Sequence, residues 1–351
     1  MNLQENPPNL VTKLSCILFL AFGLLMPGRC MAATELTGAG ATFPYPFFSR
    51  AFYQYSQSNP DVTVNYQSIG SGGGIQQFIA KTVDFGASDV PMNAGELQRA
   101  VNPVLQIPDT LGGEAICYNL PGIGSGLKFT RELVADIYLG KVTKWNDPAI
   151  QKLNPDAKLP DQAIMVVHRS DGSGTSYIFT DFLSTVSSEW KQKVGTGKSV
   201  SWPAPSSVGG KGNEGVAGQV RQSEGAIGYV ELAYVIENRM TYGQLQNKYG
   251  AWVYPSIATI AAAAASKPMV SATDFSIVDA AGANSYPISG YSWLMVYEKP
   301  ADRTRGAAVK KVISWLVTDG QEVAKSVDYV PLPKNVQDLA LKQISQMETG
   351  S

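Results

Sequence analysis

The eight residues Arg169-Ser170-Asp171-Gly172-Ser173-Gly174-Thr175-Ser176 constrain what this chain can build more than any other stretch. They follow the apolar run Ala163-Ile164-Met165-Val166-Val167, which predicts a buried strand. They precede Tyr177 to Leu183, where Ile178, Phe179, Phe182 and Leu183 fall at i, i+1, i+4 and i+5 and predict an amphipathic helix. A strand, a Gly/Ser turn and a helix start together present free backbone N–H groups to whatever lies in front of them. Ser173, Thr175 and Ser176 add hydroxyls, and Arg169 adds a planar fork suited to two oxygens of a tetrahedral anion. Asp171 stands two residues from Arg169, placed to hold its guanidinium. An ordinary strand–loop–helix junction with a solvated Arg–Asp pair would use the same residues, so the case for an oxyanion depends on the rest of the chain.

That strand–turn–helix unit recurs. Strand-like runs at Val62–Gln67, Phe85–Ser88, Glu114–Asn119, Ala163–Val167 and Trp293–Tyr297 alternate with helix-like ones at Phe47–Gln57, Gly74–Lys81, Arg131–Leu139, Thr175–Thr185, Gly215–Arg221, Ala261–Ala265 and Thr304–Thr318. Alternation of this kind predicts an α/β fold. At 351 residues the chain exceeds what one core usually supports, so two domains are expected. Two apolar extended segments, Leu105–Asn119 and Ser285–Tyr297, are placed to cross between them.

The first 33 residues read as an export signal: Lys13, the short apolar stretch Leu14–Met26, then Met31-Ala32-Ala33 as a small-residue cleavage region. The apolar stretch is short for a membrane span. Cys16 and Cys30 fall inside this segment, and Arg29 disfavours a lipid anchor on Cys30. Cys117 is left alone, a small apolar side chain with no partner for an internal disulfide. Removing Lys13, Arg29 and Glu5 from 28 basic and 29 acidic residues leaves 26 and 28, a net charge of −2. A chain so balanced has no broad basic field for nucleic acid. Any anion must be recognised locally, by a few donors.

Three further segments offer such donors. In Thr37-Gly38-Ala39-Gly40-Ala41-Thr42-Phe43-Pro44, two glycines and a Thr-Phe-Pro turn lead into a helix, so that Ala41, Thr42 and Phe43 offer N–H groups and Thr42 a hydroxyl. Ile69-Gly70-Ser71-Gly72-Gly73-Gly74 opens another helix with Ser71 near its N-cap position, and its glycines allow close backbone approach. Val83-Asp84-Phe85-Gly86-Ala87-Ser88-Asp89 ends a strand on an acid. An ionised carboxylate only accepts hydrogen bonds, so Asp89 suits an anion that still carries a proton. Hydrogenphosphate does; sulfate does not.

These segments, in this order, resemble the phosphate-specific substrate-binding proteins of bacterial ABC transporters. The matching motifs are TGAGATFP (Thr37–Pro44), GSGGG (Gly70–Gly74), VDFGASDVP (Val83–Pro91) and DGSGTS (Asp171–Ser176). DIYLGKVTKWND (Asp136–Asp147), VGTGKSVSWP (Val194–Pro203), GGKGNEG (Gly209–Gly215) and GAIGYVE (Gly225–Glu231) add to them. The likeness spans essentially the whole mature chain and is weakest over Met240–Asn284. It implies a type II periplasmic-binding-protein-like fold: one lobe from residues 34–112 and 288–351, a second from 113–287, and two crossing segments. Carried over by position, Ala41, Thr42 and Phe43 would supply backbone donors and Ser71 its hydroxyl and amide. Asp89 would accept the ligand proton, Arg169 would pair with phosphate while Asp171 steadies it, and Ser173, Gly174 and Thr175 would complete the cage. His168 stands where relatives often carry a second basic residue; strand alternation turns it away from Arg169. The resemblance implies a monomer, periplasmic, with no cofactor or metal, docking on inner-membrane permease subunits driven by a cytoplasmic ATPase.

Two other functions remain open on the residues alone. A phosphatase or serine hydrolase would use Ser173 or Ser71, but neither lies in G-x-S-x-G and His168 is the only histidine. Gly197-Lys198-Ser199 resembles the end of a phosphate-binding loop, yet Gln192 stands where its first glycine belongs. A binder of sulfate, molybdate or a phosphonate would share the donors, and sulfate or molybdate would have no use for Asp89.

Overall fold

The computed structural model describes residues 33–349, so the expected export signal lies, apart from Ala33, outside the described residues. Twelve strands are formed: β1 (Thr34–Gly40), β2 (Val62–Ser68), β3 (Phe85–Ser88), β4 (Val104–Tyr118), β5 (Lys128–Phe129), β6 (Met165–Arg169), β7 (Ser207–Gly210), β8 (Ala226–Glu231), β9 (Thr241–Tyr242), β10 (Gln244–Gln246), β11 (Trp252–Val253) and β12 (Ser289–Tyr297). Nine of them make one mixed sheet in the order β2-β1-β3-β12-β4-β8-β6-β7, with β9 on β4; β11, β10 and β5 form a small second sheet. Helices between the strands cover the sheet, the layering that the alternation predicts.

The long strand β4 joins two halves of this sheet. Its residues Val104–Gly113 pair with β12, and its residues Glu114–Tyr118 pair with β8. The strand expected at Glu114–Asn119 is therefore only its second portion. Pro108 and Gly112-Gly113 read as breakers, but Pro108 sits where the β12 register shifts between Ser292 and Trp293, and there a missing N–H is tolerated.

In each half, strands run parallel: β1 with β2 and β3, and β6 with β7 and β8. Parallel strands need crossover helices, and their carboxyl ends then open on the same side, where α/β folds bind ligands. The helix Tyr45–Ser58 packs Phe47, Phe48 and Phe52 into the first half, with Phe52 edge-on to Phe85 of β3. The second half is cored by Phe179 of the helix Gly174–Val186, stacked at 4.1 Å on Tyr229 of β8. Burying a side chain of this size contributes about 1.5–3 kcal/mol. Cys117 is fully buried in β4 as a free thiol, and burial pushes its pKa up to about 12.

Candidate functional site

The carboxyl ends of β1, β2, β3, β6, β7 and β8 converge, and the residues that follow them meet in one buried cluster. Thr42, Ser71, Asp89, Arg169, Ser173 and Thr175 are each at most 5% exposed, although they come from four separate strand ends.

After β1, the carbonyls of Ala41, Thr42 and Phe43 are held by three tyrosine hydroxyls. Tyr66 donates to Ala41 at 2.8 Å, Tyr234 to Thr42 at 2.6 Å, and Tyr329 to Phe43. With the acceptors tied back, the N–H groups of Thr42 and Phe43 donate to no partner among the described residues. Ala41 differs from expectation. Its N–H donates to the Ala87 carbonyl at 2.9 Å and extends the β1–β3 ladder by one rung, so it is not offered to a ligand.

The loops after β2 and β6 lie against each other. Gly70 has φ +88°, and a Cβ there would stand 2.1 Å from Asp171 Oδ2, so only glycine fits this approach. The Gly72 N–H donates to the Gly172 carbonyl at 2.8 Å. Ser71 is not the N-cap of its helix, as its position predicts; Gly70 is, and Ser71 is the first helical residue. Its hydroxyl instead accepts from the Gly174 N–H at 3.0 Å and the Asp89 N–H at 3.3 Å. The Gly174 amide, expected as a ligand donor, is thus engaged by Ser71 in this arrangement. Ser173 caps its helix by accepting from the Ser176 N–H at 2.9 Å, which leaves the Ser173 hydroxyl proton free.

Arg169 closes the last turn of β6. Its Nε and Nη2 donate to the two carboxylate oxygens of Asp171 at 2.8 and 2.6 Å, a bidentate pair that aims the remaining nitrogen, Nη1, at Thr175 Oγ1 3.1 Å away. Burial works against the charge on each partner, but their pairing wins: the guanidinium is held above its usual pKa and the carboxyl below. Asp89 reaches the same hydroxyl, with Oδ2 3.5 Å from Thr175 Oγ1, while its Oδ1 is buried without a partner among the described residues. Burial raises the Asp89 carboxyl to about 7, against the lowering pull of Arg169 and of the Thr175 hydroxyl. His168 faces elsewhere: its ring stacks on Trp202 with centroids 4.9 Å apart, and Nδ1 lies 2.9 Å from the Arg169 carbonyl.

Several members escaped the sequence reading. Asn213, fully buried, lies within the GGKGNEG segment and touches both Thr42 and Thr175. Gly212 before it, at φ +74°, donates its N–H to Asp171 Oδ1 at 3.1 Å. Lys198 passes its carbonyl to the Ser173 N–H at 2.8 Å and pairs its ammonium with Glu96. Glu114 stands directly opposite Glu231 across the β4–β8 ladder, both fully buried, and burial first and neighbouring carboxyls second raise both well above the usual range. Among the described residues no group of three or more side chains could hold a metal ion.

Residues 30–320 match the model of the PBP superfamily domain. The phosphate-binding protein PstS of Pasteurella multocida is 47% identical over 326 residues, 92% of either chain. That of Xylella fastidiosa (strain Temecula1) is 47% identical over 307 residues, 87% of this chain and 83% of its own. In fold, the chain is similar to a high-affinity periplasmic phosphate-binding protein, PfluDING, solved with phosphate bound. The TM-score there is 0.72 at 19% identity, over 87% of this chain and 92% of the other. A phosphate-binding protein from Stenotrophomonas maltophilia gives a TM-score of 0.67 at 21% identity, over 88% and 93%. The chain belongs to the PBP superfamily and, within it, to the PstS family of phosphate-binding proteins.

Proposed function

We propose that this protein binds inorganic phosphate with high affinity in the periplasm and delivers it to an ABC importer, docking as a monomer on the permease subunits that a cytoplasmic ATPase drives. One observation carries the reading. A buried guanidinium and a buried carboxyl, through Asp89 Oδ2, meet on a single hydroxyl, Thr175 Oγ1, inside a ring of N–H and O–H donors, and the other carboxyl oxygen, Asp89 Oδ1, has no partner among the described residues. Donors alone would take any tetrahedral anion. The added acceptor asks for a ligand oxygen that carries hydrogen. The names of the relatives support the same ligand and the same carrier role.

Capture without catalysis fits the serines. Ser71 accepts from two backbone N–H groups, Ser173 caps a helix, and the one histidine is stacked on Trp202, so neither serine is paired with a histidine base. Among the described residues no helix is long and apolar enough to cross a membrane.

Titration calorimetry on protein stripped of ligand tests the reading. Phosphate is expected to bind at least on the order of 10⁴-fold more tightly than sulfate at pH 8, because sulfate leaves Asp89 unpaired. Equal affinities would reject phosphate as the intended ligand. The proposed lobes, 34–112 with 288–351 and 113–287, divide one residue before β4 changes partner, which happens between Gly113 and Glu114. The ligand cluster draws on both, so phosphate should hold them together. Small-angle scattering should show compaction on adding phosphate; identical profiles would argue against closure.

A further inference from the structure

We propose that Asn213 is a positioning residue that fixes the polarity of the cage: it helps fill the acceptor sites of two threonine hydroxyls and thereby leaves each able only to donate, Thr42 to the ligand and Thr175 to Asp89 Oδ2, 3.5 Å away, or to the ligand. The inference rests on the phosphate reading above and deepens it.

The hydrogen-bond geometry admits one assignment. The Asn213 side-chain oxygen faces the Glu231 N–H at 3.0 Å, a group that can only donate, so the amide cannot be flipped. Its Nδ2 then has two protons to give. One goes to Thr42 Oγ1 at 2.8 Å and the other to Thr175 Oγ1 at 3.0 Å. Thr42 Oγ1 also receives the Asn213 backbone N–H at 3.1 Å, and Thr175 Oγ1 also receives Arg169 Nη1 at 3.1 Å. Each hydroxyl oxygen has two lone pairs, and on both threonines both are taken. Neither threonine can accept anything more; each can only donate. The hydroxyl of Ser71 is in the same condition through Gly174 and Asp89, without help from Asn213.

The consequence is a division of labour. Three hydroxyls that would be ambivalent in water become obligate donors, and Asp89 is left as the acceptor. A ligand with one O–H and several bare oxygens matches this pattern; a cage with freely turning hydroxyls would not distinguish them. Asn213 acts only through Thr42 and Thr175, and with Glu231 at its back it is held rigidly on the first turn of the helix Gly212–Gln222.

A double-mutant cycle read by phosphate calorimetry tests this. Asn213→Ala in the parent frees both hydroxyls and is expected to weaken phosphate roughly 10–100-fold. In a Thr42→Val/Thr175→Val background, where there is no hydroxyl left to orient, the same change should cost less than about threefold. Equal losses in both backgrounds would show a purely structural residue, and no loss in the parent would do the same; either overturns the inference. If the doubly substituted background fails to fold by far-UV circular dichroism, Asn213→Asp decides. It keeps the shape but replaces the two N–H donors by an acceptor that draws both hydroxyl protons away, so phosphate should weaken about 100-fold. An affinity within threefold of the parent overturns the inference. A parent that prefers sulfate would refute the phosphate reading alone, because the same cycle run on sulfate still reports on Asn213.

Discussion

Arg169→Ala is expected to weaken phosphate binding by about 3–5 kcal/mol, roughly two to four orders of magnitude in Kd, because it removes the one buried cation from the site and strands the charge that it faced. The side chain is 1% exposed and its fork is already committed on one side to Asp171, which leaves Nη1 directed into the cage. A lysine would not replace it. A single ammonium cannot hold both Asp171 oxygens and also reach the ligand, so Arg169→Lys should remain at least about tenfold weaker than the parent. Calorimetry on both variants, with circular dichroism to verify folding, reads the effect. Unchanged affinity in Arg169→Ala would exclude the cage as the binding site.

The second large effect concerns Asp89 and proton concentration. Burial lifts this carboxyl to about 7, so near neutrality it is divided between acid and anion. Above that pH it is a carboxylate, and it repels an ion that has only acceptor oxygens. Below it, the group is a carboxylic acid and becomes a donor. Sulfate binding should therefore strengthen as pH falls, by about tenfold between pH 8 and pH 6, following the protonated fraction of a group that titrates near 7. Phosphate can shift its own proton to suit, so its affinity should depend on pH much less steeply. Asp89→Asn supplies an amide donor at every pH. It should erase the slope for sulfate and narrow the preference for phosphate at pH 8 by at least about 100-fold. A sulfate affinity that is flat with pH in the parent, or a preference unchanged in Asp89→Asn, would remove Asp89 from the role of acceptor.

The parts of the site that were legible in the sequence are those built from single loops. Arg169, Asp171, Ser173 and Thr175 lie within seven residues of one strand–turn–helix unit, and Ser71 and Asp89 each follow a recognisable strand, so local pattern was enough to collect them. What local pattern could not show were the partners that arrive from a distance. Asn213 reaches Thr42 across 171 positions of sequence, and Tyr329 reaches Phe43 across 286. Neither residue type announces such a task, since tyrosine and asparagine serve equally in cores and turns. Ala41 went astray for a smaller reason: the ladder between β1 and β3 runs one rung beyond the strand end, and that rung consumes its amide. In the fold, alternation of strand and helix predicts the layering, while the strand expected at Glu114–Asn119 covers only the second portion of β4, whose first portion holds a proline and paired glycines. Pairing with β12 overrides those local preferences, and β12 is remote in sequence.

That remoteness sets an order of events during synthesis. β12, from residues 289–297, is inserted between β3 and β4, so the first half of the sheet stays divided until nearly the whole polypeptide has been made. Trp293 finds Ser88 across about two hundred residues, the kind of late, long-range closure that makes assembly slow. A chain that cannot complete its first sheet early remains threadable for longer, which would suit the periplasmic destination proposed above.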